Sequence, residues 1–230
     1  MIKVVLGLPG SGKTLYMLWL MQQYVNSGRL VASNIRLTDR CPFKNAVALL
    51  DDDEGKFPVC TEGDKKKKES YRAWWHYLGP NWVIFIDEAD TYFDSSDYRD
   101  LQRDVRIYFK QHRKLRHDII LSVQNVDNLY VRVRRMVQAW VLCDFNRRSS
   151  RLMQWLPGDW SRFLRAEYGT PQLRDDSLLG TGYFWMNEAR QMFSWYDTEQ
   201  LLGSTNHYAE WLQQKGPAHA AQSPSVASCA

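Results

Sequence analysis

The stretch Ile2-Lys3-Val4-Val5-Leu6-Gly7-Leu8-Pro9-Gly10-Ser11-Gly12-Lys13-Thr14-Leu15 decides the fold of this 230-residue chain. Its central part, Gly7 to Thr14, matches the pattern G-x-x-x-x-G-K-[ST] in full. The apolar run Ile2 to Leu6 predicts a strand that is covered on both faces, as in a parallel sheet. The run Leu15 to Ser27 has helical length, and Gly28 follows it as a helix-ending residue. A glycine-rich loop between a strand and a helix is the context in which this pattern binds phosphate.

We expect this loop to bind ATP. Backbone N–H groups of such a loop converge on the phosphates at the positive end of the following helix. Lys13 is expected to contact the β- and γ-phosphates, and Thr14 to ligate Mg²⁺ through its hydroxyl. A glycine turn that binds nothing is the alternative interpretation. The predicted nucleotide-binding residues are Gly7, Leu8, Pro9, Gly10, Ser11, Gly12, Lys13, Thr14 and Leu15.

Two carboxylates supply the second half of the predicted site. Asp87 and Glu88 follow the apolar run Trp82 to Ile86, which predicts another strand. Because ligands gather at the carboxyl ends of parallel strands, we expect both side chains beside the loop. Asp87 is predicted to hold Mg²⁺, usually through a water molecule, and Glu88 to polarise the attacking water as catalytic base. Together the two motifs predict ATP hydrolysis; a carboxylate that only caps a helix is the alternative for Glu88.

Two more catalytic residues are predicted around the run Asp118 to Val123, which is expected to form another buried strand. Gln124 follows this run and is expected to sense the γ-phosphate or help place the water; an ordinary polar strand end is the alternative. Arg113 lies ahead of the run, in His112-Arg113-Lys114. We predict that Arg113 enters the site of an adjacent subunit, where it would stabilise charge in the transition state. A solvated helix face is the alternative for Arg113.

The remaining pattern predicts an α/β protein of the P-loop NTPase class. Further strands are expected at Leu30–Ser33, Val47–Leu50 and Val137–Cys143, and a helix at Leu101–Leu115. Strands separated by helices predict a mostly parallel sheet with helices on both faces, of the additional-strand, motor-like type. After Arg151 the pattern weakens, and we interpret Gly182–Met186 and Gln191–Trp195 as a hairpin.

The domain prediction follows from shifts in composition. We expect one P-loop ATPase domain over residues 1–200, with residues 50–72 as a mobile insertion because an acidic run and the lysines Lys65 to Lys68 fall there. Residues 201–215 are predicted to form a short helical extension. Residues 216–230, rich in Ala, Ser and Pro, are predicted to be a disordered tail.

Composition excludes several classes of protein. Hydrophobic residues make up 44% of the chain and charged residues 24%, which suits a soluble domain with a sizeable core. The net charge of +4 is too small to indicate nucleic-acid binding by itself. The four cysteines form no CxxC pair and no metal-binding spacing, which favours reduced thiols. No signal-peptide pattern occurs, and no stretch approaches the roughly 18 apolar residues of a membrane helix. We therefore expect a soluble intracellular protein.

The order of several short motifs resembles the Zot family. That family comprises zonular occludens toxin-like proteins and the filamentous-phage assembly ATPases, and it belongs to a larger motor group that includes DNA translocases. Trp195-Tyr196-Asp197-Thr198 resembles the Tyr-Asp-Thr that closes the family's ATPase domain. The earlier motifs are Gly7 to Thr14, Ser33-Asn34-Ile35, Ile86-Asp87-Glu88-Ala89, His112-Arg113-Lys114 and Ser122-Val123-Gln124.

The resemblance implies a phage protein that uses Mg-ATP to help assemble and extrude virions around single-stranded DNA. It places the protein at the cytoplasmic face of a bacterial host cell, at the inner membrane, as a homo-oligomer that we expect to be a hexameric ring. Single-stranded DNA and phage coat proteins are the implied partners. Family members usually continue into a membrane helix, so we expect either the cytoplasmic portion of such a protein or a soluble relative. The membrane would be reached through a partner or a missing C-terminal segment.

Two departures from the family pattern add positive charge. Lys114 replaces the family's second histidine, and Arg116 replaces its following glycine. A basic cluster with aromatic residues lies further along, and such a groove suits single-stranded DNA through phosphate contacts and base stacking. A subunit interface is the alternative for this cluster, and a solvated face is the alternative for Lys65 to Lys68 as a DNA contact. The cluster comprises Arg132, Arg134, Arg135, Arg147, Arg148 and Arg151, with Tyr130, Trp140, Phe145 and Trp155.

Four other functions share parts of this pattern. A soluble viral genome-packaging ATPase would have the same motor fold and would translocate DNA. A small nucleotide kinase would share the loop but would not require Glu88 beside the metal ligand. A GTPase fits less well, because Asn125-Val126-Asp127-Asn128 lacks the lysine of the guanine-reading motif. A non-hydrolysing binding module would keep the loop without needing a catalytic base.

Overall fold

A computed structural model describes residues 1–50, 78–93, 95, 103–146 and 162–197. The chain divides into one unit over Met1–Gln200 and a second over Leu201–Ala230. The first unit contains every described residue. The predictions for residues 51–72, for the extension at 201–215 and for the tail lie outside the described residues, as do Arg147, Arg148, Arg151 and Trp155.

An eight-stranded sheet forms the centre of the first unit, in the spatial order β3-β2-β4-β5-β1-β6-β7-β8. Strands β1 to β6 pair in parallel, and β7 and β8 are added antiparallel beyond β6. Because β5 lies between β1 and β4, the sheet has the additional strand that was expected, and the α/β prediction is confirmed. The strands are β1 (Ile2–Leu6), β2 (Leu30–Ser33), β3 (Val47–Leu49), β4 (Trp82–Ile86), β5 (Asp118–Val123), β6 (Ala139–Asn146), β7 (Arg162–Tyr168) and β8 (Leu178–Trp185).

Hydrophobic cores lie on both faces of the sheet. Neighbouring residues of β1 point to opposite faces, so Val4 packs in one core and Val5 in the other. The first core includes residues of α2 (Arg103–Gln111) and α3 (Val131–Arg134), such as Phe109 and Val133. The second includes residues of α1 (Lys13–Asn26) and α4 (Met186–Phe193), such as Leu18 and Met192. The prediction of helices on both faces is therefore confirmed.

Helix α1 ends at the predicted glycine through two backbone hydrogen bonds. Gly28 has φ +77°, a left-handed conformation that glycine adopts without steric cost. Its N–H donates to the carbonyl oxygen of Val25 at 2.9 Å, and the N–H of Arg29 donates to that of Tyr24 at 3.0 Å. This pair of bonds is the Schellman ending of a helix. It turns the chain directly into β2, which then runs parallel to β4.

The predicted hairpin of Gly182–Met186 with Gln191–Trp195 is wrong. The hairpin consists instead of β7 and β8, and the chain enters α4 directly after Trp185. The carboxylate of Glu188 accepts a hydrogen bond from the Trp185 N–H at 3.0 Å, which caps the start of this helix. Ala189 and Met192 are both buried, and this spacing of three is helical. Among the described residues, no helix is both long and apolar enough to cross a membrane.

Candidate functional site

The loop between β1 and α1 folds its lysine back onto its own backbone. Nζ of Lys13 donates hydrogen bonds to the carbonyl oxygens of Gly7 at 2.8 Å and Leu8 at 3.2 Å. Lys13 is the first residue of α1, so the N–H groups of Lys13, Thr14 and Leu15 fall in the first turn, where a helix offers no acceptors. The ammonium group and these N–H groups therefore lie at one positive helix end, which suits phosphate oxygens.

The path of the loop depends on two glycines. Gly12 has φ +89°, and a Cβ added there would lie 2.5 Å from Cδ1 of Phe163 on β7. A Cβ on Gly7 would lie 2.6 Å from the carbonyl oxygen of Cys143 on β6. Leu8, Pro9 and Gly10 are exposed, whereas the buried hydroxyl of Ser11 has no hydrogen-bond partner among the described residues. A buried hydroxyl without a partner is uncommon in a protein and fits a group that bonds to a ligand.

The end of β4 meets the loop through a threonine and an aspartate. Oγ1 of Thr14 donates a hydrogen bond to Oδ2 of Asp87 at 2.9 Å. Oγ of Ser122, a buried residue of β5, donates a short hydrogen bond to the other carboxylate oxygen of Asp87. These two hydrogen bonds hold both carboxylate oxygens in fixed directions, and Asp87 is only 9% exposed. The structure thus brings together the two residues that the sequence predicts as metal ligands.

Asn34 fixes the backbone of Asp87 and was not predicted as a site residue. Its Nδ2 donates to the Asp87 carbonyl oxygen at 3.0 Å, and its Oδ1 accepts from the Asp87 N–H at 2.8 Å. Asn34 directly follows β2 and is only 2% exposed. Ser122 was likewise missed. The signal that could have found both is a small polar residue at the carboxyl end of an otherwise apolar strand that neighbours β4.

Glu88 is exposed and projects from a strained turn after β4. Its φ of +49° is left-handed, an uncommon conformation for a non-glycine residue. Its N–H donates to Oγ of Ser122 at 3.0 Å and to Oδ1 of Asp87 at 3.1 Å, and these bonds hold the turn. Desolvation by the surrounding chain raises the pKa of the Glu88 carboxyl even though the residue is exposed, the charges of Asp87 and Asp90 raise it further, and Lys13 opposes them. A carboxylate with a raised pKa is a stronger base.

Gln124 and Arg113 lie at opposite ends of β5. Gln124 is exposed and directly follows the end of β5 that carries Ser122, so it borders the site. Arg113 is exposed in the turn that precedes the other end of β5. The structure does not bring Arg113 to the site of its own chain.

The chain returns to the site after α4. The segment Trp195 to Asp197 pairs with the segment that follows Asn34: Thr38 N–H donates to the Trp195 carbonyl oxygen at 2.8 Å, and Asp197 N–H to the Arg36 carbonyl oxygen at 3.0 Å. Burial raises the pKa of the Tyr196 hydroxyl, and the negative charge of Asp87 raises it further, which indicates that Tyr196 lies near that carboxylate. The late Tyr-Asp motif therefore belongs to the surroundings of the site.

The residues present fit a bound Mg²⁺ ion. Magnesium prefers oxygen ligands. The hydroxyl of Thr14 and the carboxylate of Asp87 offer such oxygens side by side, joined by a hydrogen bond of 2.9 Å. In the described parts of the chain, no group of three or more His, Cys, Asp or Glu side chains forms a metal site. Phosphate oxygens and water would therefore complete the ligand set, as is common for Mg²⁺ in ATPases.

Comparison with known proteins gives the family. The sequence pattern of the zonular occludens toxin (Zot) family matches residues 1–148, which include the loop, β4 and β5. The chain belongs to the Zot family. Its sequence is 24% identical over 216 residues to the gene 1 protein of Enterobacteria phage M13. The match covers 87% of this chain and 60% of that phage protein, so this Zot-family chain spans less than two thirds of its relative's length.

A solved structure supports the fold of this Zot-family chain. The N-terminal domain of zonular occludens toxin from Neisseria meningitidis superposes with a TM-score of 0.54 at 20% identity, over 85% of this chain and 98% of that one. The genome packaging NTPase B204 from Sulfolobus turreted icosahedral virus 2 gives a TM-score of 0.47 at 14% identity, over 79% and 95%. The complete loop and the family membership show that the chain has the fold and the nucleotide-binding loop of a P-loop NTPase.

Proposed function

We propose that this chain hydrolyses Mg-ATP and that the hydrolysis drives the assembly and extrusion of phage particles. The observation that carries the chemical part is the 2.9 Å contact between Thr14 Oγ1 and Asp87 Oδ2. This contact joins the phosphate-binding loop to the strand that ends in Glu88. Family membership and the similarity to a phage gene 1 protein support the biological part.

The N-terminal end of α1 and the side chain of Lys13 would bind the phosphates. When a triphosphate binds, we propose that Nζ of Lys13 exchanges its bonds to the Gly7 and Leu8 carbonyl oxygens for bonds to phosphate oxygens. The exchange keeps the ammonium group hydrogen-bonded in both states, which lowers the cost of its desolvation on binding. The N–H groups up to Leu15 and the Ser11 hydroxyl take the remaining phosphate oxygens.

Thr14 and Asp87 would hold Mg²⁺, which supplies positive charge to the β- and γ-phosphate oxygens when bound. Ser122 and Asn34 do not need to touch the ion. Ser122 holds one carboxylate oxygen of Asp87 through a side-chain hydrogen bond, so the other oxygen stays directed at Thr14. Asn34 fixes the main chain of the same residue. The two residues act as an outer layer that orients the ligand.

Glu88 is proposed as the base that accepts a proton from the attacking water. Its exposed carboxylate stands one residue beyond the metal ligand, and its raised pKa increases its basicity. Gln124 would help hold the water or the γ-phosphate from the end of β5. A nucleotide kinase would transfer the phosphoryl group to a second substrate and needs no such base. The Zot-family assignment favours hydrolysis over that alternative.

Oligomerisation would supply the last catalytic group. Arg113 is exposed and distant along β5 from its own Asp87, so we propose that it completes the site of a neighbouring copy in a ring, hexameric by resemblance to motor ATPases. Mixing Arg113→Ala subunits with Lys13→Ala subunits tests this arrangement. Some mixed interfaces then contain both intact residues and recover activity; no recovery at any mixing ratio contradicts a trans role.

The proposed cargo is the phage particle, through its single-stranded DNA or coat proteins, at the cytoplasmic face of the host inner membrane. Arg132 and Arg135 are exposed on and after α3, whereas Arg134 pairs with Asp127 at 2.7 Å. Exposed arginines in this position suit contact with phosphate groups. The attachment to the membrane would come from a partner protein or from sequence beyond this chain.

The chemical proposal is tested by measuring ATP binding and phosphate release on the same preparations. We expect Lys13→Ala to lose binding, and Glu88→Gln to bind ATP while losing nearly all turnover. Turnover of Glu88→Gln at the wild-type rate would contradict the proposal. The cargo is tested by adding single-stranded or double-stranded DNA: stimulation by single strands supports assembly around the phage genome, whereas stimulation by duplex alone favours genome packaging.

A further inference from the structure

Three phenylalanines lie beside the phosphate-binding loop and are not used by the chemistry described above. Phe163 on β7 packs against Gly12 so closely that a Cβ there would lie 2.5 Å from its Cδ1. The ring centroid of Phe145 on β6 lies 4.7 Å from that of Phe163, and the centroid of Phe193 on α4 lies 6.1 Å from it. Phe163 is 6% exposed, whereas Phe145 and Phe193 are only half-buried. The cluster therefore has a buried base and an accessible outer side.

The antiparallel strands β6 and β7 carry this cluster above the loop. Leu142 of β6 lies level with Leu6, the last residue of β1, and β6 continues through four more residues to Asn146. At about 3.3 Å per residue, β6 extends roughly 13 Å beyond the strand from which the loop starts. Phe145 and Phe163 face each other across the two strands and lie on the face that packs against α1. They form an apolar wall along one side of the loop.

The direction of a bound nucleotide places its base near this wall. Thr14 and Asp87 fix the terminal phosphates toward β4, and β4 lies on one side of β1 in the sheet. Strand β6 lies on the other side of β1. The nucleoside end of a triphosphate that is gripped at its terminal phosphates must leave the loop away from β4. It therefore leaves toward β6 and β7.

We propose that the outer side of the Phe145, Phe163 and Phe193 cluster is the nucleobase-binding surface, with Phe145 as the stacking residue. This inference rests on the proposed nucleotide site and adds the subsite that receives the base. Aromatic rings stack on any base, so the surface contributes affinity rather than choice among bases. Phe145 was one of the aromatic residues that the sequence suggested for single-stranded DNA. Its ring contacts Phe163, which packs against Gly12, and this position favours the bound nucleotide instead.

The test compares ATP with inorganic tripolyphosphate, which has the phosphates but no base. Binding of a non-hydrolysable ATP analogue and of tripolyphosphate is measured by calorimetry with Mg²⁺ on the full chain. We expect Phe145→Ala to weaken analogue binding about 5- to 100-fold, the contribution of one base stack, and to leave tripolyphosphate binding within about twofold. Phe145→Tyr keeps an aromatic ring and should restore the affinity. Tyr183→Ala removes an exposed aromatic residue of β8 and serves as the matched control.

Each other outcome overturns the inference. Equal loss of analogue and tripolyphosphate binding would show that Phe145 only supports the loop. Unchanged analogue binding with weaker single-stranded DNA binding would assign the ring to DNA. A wild-type protein that binds the analogue no more tightly than tripolyphosphate has no base subsite, although its phosphate site stands. A wild-type protein that binds neither ligand would overturn the proposed nucleotide site as well.

Discussion

Replacing Asn34 with leucine tests how the site is held together. The two side chains have similar size, so the change mainly removes hydrogen-bonding groups. Asn34 accepts from the Asp87 N–H at 2.8 Å and donates to its carbonyl oxygen at 3.0 Å. Asp87 is 9% exposed and Asn34 2%, so water has little access to the two main-chain groups that lose their partner. Leucine offers no replacement for either bond.

The expected loss of stability is large. A buried main-chain group that loses its partner costs about 1–3 kcal/mol, so two such groups cost about 2–6 kcal/mol. A domain of this size has an unfolding free energy of roughly 5–15 kcal/mol. At about 2–4 °C per kcal/mol, the midpoint of thermal unfolding should fall by roughly 5–20 °C. ATP turnover should also fall at temperatures where the variant is folded, because the carboxylates of Asp87 and Glu88 lose their fixed position.

The first measurement is thermal unfolding followed by circular dichroism. Phosphate release by the variant and by the wild type is then compared at one temperature, below the unfolding transition of the variant. Asn45→Leu is the matched control, because Asn45 is exposed and its replacement should change stability by less than about 0.5 kcal/mol. A midpoint within 2 °C of the wild type (about 1 kcal/mol or less) and full turnover for Asn34→Leu would refute the reasoning.

Three further predictions concern the same strands. The pKa of Glu88 is raised and its deprotonated form is the base, so turnover should fall as the pH drops through a value above the ordinary glutamate pKa. Asp90→Asn removes one of the charges that raise this pKa and should therefore move the acidic limb of the pH–rate profile to lower pH. Ser122→Ala removes the bond to Asp87 and should lower turnover or Mg²⁺ affinity about 10- to 100-fold in a magnesium titration of ATP hydrolysis. Arg116→Gly should raise the unfolding free energy by about 1 kcal/mol in urea denaturation, because Arg116 has φ +54°.

A specific result would contradict each of these three predictions. A pH profile that Asp90→Asn leaves unchanged would show that Asp90 does not act on Glu88. Wild-type magnesium dependence in Ser122→Ala would show that Ser122 does not orient the metal ligand. A destabilised Arg116→Gly would show that contacts of the arginine outweigh its backbone strain.

Most of the parallel part of the sheet was predictable because its strands are largely apolar runs with polar or glycine ends. β1, β2, β4 and β5 have the bounds that the sequence predicts. A strand buried on both faces leaves no choice of residue type along its length, so the run and its ends are visible directly. The left-handed backbone of Arg116 was not predictable in this way. The family pattern has a glycine at this position, but an arginine gives no local signal of such a conformation.

The region after β6 was not predictable in the same way. β8 exposes Leu179 and Tyr183 while burying Phe184, so its apolar residues mark both faces and hide the alternation of a half-buried strand. Helix α4 has only eight residues, and its buried positions are too few to establish a period. Its start depends on the bond between Glu188 and the Trp185 N–H, which is a feature of the folded chain.

In the candidate site, the sequence predicted residues that are expected to act on a nucleotide, but it missed Asn34 and Ser122, which hold Asp87 in place. The loop and the Asp87-Glu88 pair belong to a pattern with a known chemistry, so the pattern alone was enough to place Thr14 and Asp87 together. Asn34 and Ser122 act through β2 and β5, and their contacts with Asp87 depend on the order of strands in the sheet. No single segment of the sequence specifies the order of the strands.

The most direct test of the proposed nucleotide site is a crystal structure with Mg²⁺ and a non-hydrolysable ATP analogue. We expect a metal ion bound at Thr14 Oγ1 and beside Asp87, with Lys13 turned from the Gly7 carbonyl oxygen to the phosphates. We also expect the Glu88 carboxylate within one water molecule of the γ-phosphate. An analogue bound elsewhere, or Asp87 and Glu88 both turned away from its terminal phosphate, would contradict the proposed site.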